Sequence, residues 1–282
     1  SSSLSIKDYG IISLMYHRFN ENKYPSTNIR MDDFKKHIEM IEKEKIIFIN
    51  ANNFSESINS RKNERKILLT IDDAFLSFYE HAWPFLKKKK IPFILFVSTR
   101  EIGSFNYMNW KQLKEISKEE FVHIGNHSHT HDYLIDLTNQ QIKNDIIKSI
   151  SLLKKNLGYE TSFFSYPFGE YSSEFKKIIK NFNFKYAFGQ HSGVIDETKD
   201  LFELPRFPVN EKYGELNRFK LLLKTLPFKF KRISPAEKYI DNSSNPPKVF
   251  IEFFKDIENL KNINCYSNEM NQWRHSKINF IS

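Results

Sequence analysis

The feature that most constrains this chain is an alternation: over roughly its first 225 residues, short apolar runs alternate with stretches carrying i, i+3, i+4 apolar spacing. Period-two or fully apolar runs followed by amphipathic helices are the signature of repeated βα units around a parallel sheet. The predicted strands are Ile11 to Tyr16, Ile46 to Ile49, Lys66 to Ile71, Phe93 to Val97, Phe121 to Ile124, Ser162 to Ser165, Tyr186 to Phe188 and Leu204 to Val209. Between them, helices are expected over Met31 to Glu44, Leu76 to Lys89, Trp110 to Ile116, Thr138 to Asn156 and Ser172 to Asn181, with Thr138 and Gln141 spaced as a capping box. Six to eight such units in 282 residues point to a distorted (β/α) barrel with fewer than eight regular strands.

After Leu226 the pattern breaks. Pro227, Pro235, Asn242 to Asn245 and Pro246-Pro247 interrupt the chain before one apolar run, Lys248 to Phe254. The expected organisation is a barrel over residues 1–227 and, over 228–282, a small β-rich appendage packed on it, since 55 residues bury too little to stand alone.

Composition removes several classes. With 40% hydrophobic and 27% charged residues, the chain has ample core material and is not intrinsically disordered. One cysteine, Cys265, excludes an intramolecular disulfide framework and a multi-cysteine metal site. The longest apolar run, Ile91 to Val97, is too short to span a membrane and reads as a buried strand. The net charge of +9 allows peripheral contact with an anionic surface, but no recognition motif accompanies it, so nucleic acid is not an expected partner. Lys87 to Lys90 fall where a helix ends, and cations there suit its dipole. Ser1-Ser2-Ser3 shows neither an initiator Met nor a signal-type apolar stretch, which is compatible with a removed leader or anchor.

Three segments carry chemistry. The run Leu68-Leu69-Thr70-Ile71 ends in Asp72-Asp73, and adjacent carboxylates at a strand C-terminus can divide labour as metal ligand and base. A second strand runs into Gly125-Asn126-His127-Ser128-His129-Thr130-His131. Three imidazoles in five residues are costly to bury unless a metal takes them up. His127 and His131 suit one metal from a helical turn, whereas all three share a face if the segment is extended. A third strand runs into Tyr166-Pro167-Phe168-Gly169, a rigid turn able to aim the backbone N–H of Phe168 into the barrel mouth as an oxyanion donor.

These residues resemble the polysaccharide deacetylases, carbohydrate esterase family 4. Thr70-Ile71-Asp72-Asp73-Ala74 is similar to the family's Thr-Phe-Asp-Asp-Gly, and His127 to His131 matches His-Ser/Thr-x-x-His. Ser165-Tyr166-Pro167-Phe168 aligns with Arg-x-Pro-Tyr but keeps only the proline. Leu14-Met15-Tyr16-His17-Arg18 and Leu204-Pro205-Arg206 look like the branch found in surface-polysaccharide assembly. The resemblance spans residues 11–225.

It implies a divalent metal, most often zinc, held by Asp73, His127 and His131, with Asp72 as general base and His129 outside the ligand set. It further implies hydrolysis of N-acetyl groups on a glycan or lipid-linked sugar, in the bacterial cytoplasm or cell envelope. Three departures follow. The family's late Leu-x-x-His acid is missing, leaving His191 and His17 as substitutes; the third motif lacks its arginine, a role the sequence offers to Arg206; and Ala74 replaces glycine, with the turn expected to keep φ negative. The competing readings are a metal-dependent hydrolase of another C–N bond, such as a formamide or cyclic imide, and a carbohydrate-binding scaffold without turnover.

Overall fold

The computed structural model describes residues 9–60 and 63–281, so the opening serines lie outside the described residues. Its strands are β1 (Ile11–Tyr16), β2 (Arg18–Phe19), β3 (Asn28–Ile29), β4 (Ile47–Phe48), β5 (Lys66–Asp72), β6 (Phe93–Val97), β7 (Val122–Asn126), β8 (Phe163–Ser165), β9 (Tyr186–Phe188) and β10 (Phe207–Pro208). Helices α1 (Met31–Lys43), α2 (Phe54–Asn59), α3 (Trp83–Lys89), α4 (Trp110–Ile116), α5 (Asn139–Leu157), α6 (Ser173–Asn181) and α7 (Leu216–Leu222) intervene. One parallel sheet runs in the order β10-β1-β5-β6-β7-β8-β9, with β4 also paired to β5. Residues 204–208 touch both of its ends: Leu204 bridges Phe188, and Phe207 pairs with Leu14. The sheet therefore curls into a distorted barrel, two of whose strands, β4 and β10, are only dipeptides.

Every residue of β1, β5 and β6 is buried, as expected for parallel strands covered on both sides. Alternate side chains serve different layers. Ile11, Leu68, Ile94, Phe96, Phe163, Phe188 and Leu204 fill the barrel interior, and Phe54 of α2 closes its lower end, edge-on to Phe163 and Tyr186. Ile12, Leu14, Ile67, Leu69, Ile71, Leu95 and Val97 face outward beneath Phe34, Ile38, Leu86 and Leu113 of the helices. α5 begins in the expected capping box, Thr138 with Gln141. The expected Leu76 to Lys89 helix forms over its full span, with its α-type turns interrupted by a π turn over Phe78–Ala82. Pro84 lacks an N–H to donate, which accounts for the break in the α-type ladder there. Lys87, Lys88 and Lys89 occupy the last turn of α3, and lysines also close α1, α4, α5, α6 and α7, where they complement the helix dipoles.

His37 ties α1 to the barrel. Gly214 O can only accept, so the Nε2 at 2.6 Å from it carries the proton, and Nδ1 accepts from the Tyr16 hydroxyl at 2.9 Å. The ring stacks on Phe219 at 3.9 Å.

The C-terminal segment forms two antiparallel pairs, β11 (Arg232–Ser234) with β12 (Phe250–Glu252) and β13 (Cys265–Glu269) with β14 (Gln272–Ser276). β12 is shorter than the expected run over Lys248 to Phe254, and no residue from 224 to 281 is buried. Polar contacts join this segment to the barrel: Lys199 Nζ to Phe228 O (2.9 Å), Ser173 N to Glu237 (3.0 Å) and the Tyr239 hydroxyl to Asp136 (2.8 Å).

Burial lowers the pKa of both His37 and His123 to about 4, below the ordinary histidine value. The unfolded chain therefore takes up these protons first, and stability is lost as pH falls from about 6.5 towards about 4. At about 1.4 kcal/mol per pKa unit, His37 alone accounts for roughly 3 kcal/mol across that window. Urea denaturation at pH 7 and pH 4.5 should show this loss, reduced in His37→Gln; equal pH dependence in the two proteins would contradict it.

Candidate metal centre and catalytic site

β5 delivers its two carboxylates to different places. Asp72 is the last strand residue and is fully buried. Asp73 and Ala74 then adopt left-handed φ of 80° and 55°, turning the chain out of the strand. The expectation that Ala74 keeps φ negative is thus corrected: the turn retains the conformation a glycine would favour, at a cost of about 1–2 kcal/mol for an L-residue. Asp73 N–H donates to Phe96 O and Met108 N–H to Ala74 O, both at 2.9 Å, which fixes the strained turn from either side.

The segment after β7 is neither a helical turn nor extended. Ser128 and His131 have φ of 71° and 56°. Asp145 of α5 accepts from His129 N, Thr130 N and Thr130 Oγ1 at 2.8, 3.1 and 2.7 Å, and Ser98 Oγ donates to His127 O at 2.9 Å. These bonds turn His129 away, its Nδ1 lying 2.8 Å from Thr99 Oγ1, while the rings of His127 and His131 approach to 4.7 Å between centroids.

Asp73, His127 and His131 each present one donor atom to a common point, all within 4.8 Å of one another. His127 Nδ1 lies 2.7 Å from Ser165 O and must donate to it, so the Nε2 lone pair faces Asp73. Nε2 of His127 and of His131 lie 3.4 and 3.3 Å from Asp73 Oδ1. Two donors about 2.0–2.1 Å from a tetrahedral zinc stand roughly 3.3–3.4 Å apart, so the spacing fits. Asp73 Oδ1 and His127 Nε2 are buried without a hydrogen-bond partner, an arrangement that a shared cation would satisfy. The electrostatics agree. Burial would lower the His127 pKa, but Asp72 and Asp73 outweigh it and raise it, so the cluster favours positive charge at this point. Burial would raise Asp73, but the close imidazoles of His127, His17 and His131 hold it well below the carboxylate range.

Arg206 is the largest fully buried side chain. Its Nη1 and Nη2 donate to Asp72 Oδ1 and Oδ2 at 2.7 and 2.9 Å. Its other N–H groups reach Thr70 Oγ1 (3.2 Å), Ser165 Oγ (2.8 Å) and Gly189 O (2.9 Å), which uses all five donors. Arg206 is therefore not a surface arginine on a loop. It lies inside the barrel near the rings of Phe96 and Phe188. Burial would raise the Asp72 pKa, but Arg206 and then His127 overcome it and the net shift is downward. Ser165, which stands where the motif's arginine is missing, accepts from Arg206.

The two candidate acids separate. His17 Nε2 lies 3.9 Å from Asp72 Oδ2, whereas the exposed ring of His191 faces Tyr171 and Glu203 and does not join the cluster. The physical reason is the β9 connection: Arg206 N donates to His191 O at 2.9 Å, which fixes the backbone beneath a side chain left outside. Phe168 has φ of 60°, and its ring sits 4.9 Å from His131.

The pattern described as polysaccharide deacetylase matches residues 59–187, the stretch that carries Asp72, Asp73, His127 and His131. Residues 59–187 of this chain thus carry a polysaccharide deacetylase domain. A poly-beta-1,6-N-acetyl-D-glucosamine N-deacetylase of Staphylococcus aureus is 24% identical over 238 residues, covering 74% of this chain and 81% of that one. Among solved structures, IcaB from Ammonifex degensii is 24% identical with a TM-score of 0.70, covering 78% of this chain and 99% of that one. The Streptococcus pyogenes deacetylase PplD in complex with acetate is 21% identical with a TM-score of 0.68, covering 77% and 99%. Both share the fold of this chain.

Removing one partner of a buried ion pair leaves an uncompensated charge, which costs about 3–5 kcal/mol. Arg206→Met should lose stability on that scale, and adding Asp72→Asn to it should recover at least 1 kcal/mol of that loss, consistent with couplings of about 0.5–3 kcal/mol between contacting residues. Additive losses in a denaturant double-mutant cycle would show that the pair is not coupled.

Proposed function

We propose that this chain is a metal-dependent amide hydrolase that removes N-acetyl groups from amino sugars of a cell-surface polysaccharide or its lipid-linked precursor. The observation that carries this reading is the convergence of Asp73 Oδ1 and the two Nε2 atoms beside a buried, arginine-clamped second carboxylate.

Asp73, His127 and His131 would hold the divalent cation, and a donor set of one carboxylate and two imidazoles suits zinc. Bound there, the cation would acidify a water and polarise the acetyl carbonyl. Asp72 supplies the base. Arg206 keeps it ionised despite full burial, and Asp72 Oδ2 lies 3.8 Å from His127 Nε2, next to the ligand cluster. It accepts the proton of the water that attacks the acetyl carbon. The N–H of Phe168, held by the strained turn after β8, is the fixed donor for the developing oxyanion. The proton that Asp72 takes up passes to the departing nitrogen by way of His17, a neutral imidazole whose Nε2 lies 3.9 Å from Asp72 Oδ2. The C–N bond breaks, and acetate and a free sugar amine leave.

The test is acetate release from β-1,6-linked N-acetylglucosamine oligomers, with and without a chelator. Release should stop on chelation and return with added zinc. Asp73→Asn should lose both metal and activity, whereas Asp72→Asn should keep the metal and lose at least about 100-fold in rate. His129→Ala should bind metal as wild type does. Activity that survives exhaustive chelation, or equal metal loss in the two aspartate variants, would contradict the reading.

A further inference from the structure

Helices α1 and α7 end at one place. The last turn of α1 carries Lys43 and that of α7 carries Lys220, and the stack of His37 on Phe219 packs the two helices together. Past each end the chain turns back. Lys45 takes a left-handed φ of 55°, after which Ile46 N–H donates to Ile41 O at 3.1 Å; Leu223 N–H donates to Phe219 O, also at 3.1 Å. A cavity of about 230 Å³ opens between these turns, and Met40, Ile46 and Leu223 form its apolar part. Sites for larger organic ligands run to roughly 300–1,000 Å³, so this one suits a small group.

Its polar lining is almost all of one sign. Lys43, Arg65, Lys220 and Lys224 line it, with Glu44 as the one acid. Among the described residues, the ammonium groups of the three lysines have neither an ion pair nor a hydrogen-bond partner. Arg65 is held in place: its Nη1 donates to Leu223 O and Thr225 O, both at 3.1 Å, and its guanidinium lies 4.5 Å from the centre of the Tyr9 ring. The Nε–Nη2 edge is left without an acceptor among the described residues, and such an edge is the fork that matches two oxygens of a phosphate. The helix ends take up only part of this charge, since each carries no more than about half a negative charge. Four cations against Glu44 and two helix ends leave a surplus of about two positive charges. Like charges gathered around a concave, partly apolar surface raise the local potential and draw in an anion.

We infer that this cavity binds a phosphate group, either as a free anion or as the headgroup of an anionic lipid. The Arg65 fork takes two phosphate oxygens, and the three lysines close round the charge. Ile46 and Arg65 immediately precede β4 and β5, whereas Asp73, His127 and His131 follow strand C-termini. The cavity therefore lies at the opposite end of the barrel from the metal centre, and its ligand does not compete with the reacting sugar. The inference does not depend on the deacetylase reading. It gives a place to part of the chain's net charge of +9.

The test is calorimetric titration of the full chain with inorganic phosphate at low salt, with and without prior chelation, beside sedimentation with vesicles of phosphatidylglycerol or of phosphatidylcholine. Lys43→Gln and Lys224→Gln are the variants; both lysines are exposed, so the fold tolerates them. One phosphate should bind per chain whether or not metal has been removed. Each variant should weaken it about ten-fold, as should raising salt from about 0.05 to about 0.5 M. Retention on phosphatidylglycerol but not phosphatidylcholine, lost in both variants, supports the site and identifies a lipid headgroup. Phosphate binding without vesicle retention supports it and identifies a free anion. Binding of neither, equal binding by wild type and both variants, or phosphate binding abolished by chelation would overturn the inference.

Discussion

The paired hydrogen bonds between Arg206 and Asp72 hold the centre of this molecule together. Two opposite charges buried in an apolar barrel are unfavourable unless their geometry is close and every remaining donor is satisfied. Here all five guanidinium N–H groups find acceptors, on β5, on β8, after β9 and on Asp72 itself. The same arginine stands in residues 204–208, the run that closes the sheet between β9 and β1. The run that closes the sheet thus also carries the side chain that keeps the buried Asp72 ionised.

Around this pair the backbone is strained where chemistry is expected. Asp73, Ala74, Ser128, His131 and Phe168 all have positive φ and all belong to connections at strand C-termini. Such residues cost of order 1–3 kcal/mol each and persist only where the surroundings over-determine them. Asp145, Ser98, Asn126 and Ser128 supply that constraint through hydrogen bonds to the loop that carries the histidines. The resulting site presents unpaired donor atoms of Asp73 and His127 to one point, a poor arrangement for stability and a good one for taking up a cation.

The strands, most helices and the identity of the clustered residues were legible because burial on both faces of a parallel strand forces apolar runs, and because paired carboxylates ending one strand and three imidazoles after another jointly point to a metal centre that neither suggests alone. Which atoms meet was less legible. Periodicity left two arrangements open for His127, His129 and His131, and the observed one depends on Asp145, distant in sequence, capturing the loop backbone. Ala74 was misjudged because the turn's φ is set by tertiary hydrogen bonds that override residue preference. Arg206 carried only a weak sequence signal, its place at the end of a late strand. Ser165 gave a complementary one, a small side chain where an arginine was missing. Proline and asparagine breaks marked a change of pattern after Leu226, but nothing in that pattern pointed to the contact between Tyr239 and Asp136.

The central claim is that Arg206, reaching Asp72 from a different strand, does the work of the missing motif arginine. The most direct measurement is the acidic limb of the pH dependence of kcat/KM, compared between wild type and Arg206→Met with metal content checked in both. Loss of the guanidinium should raise the acidic pKa by at least about one unit, because burial alone drives a carboxylate upward, while the metal stays bound. An unchanged acidic limb at full metal occupancy would contradict the claim.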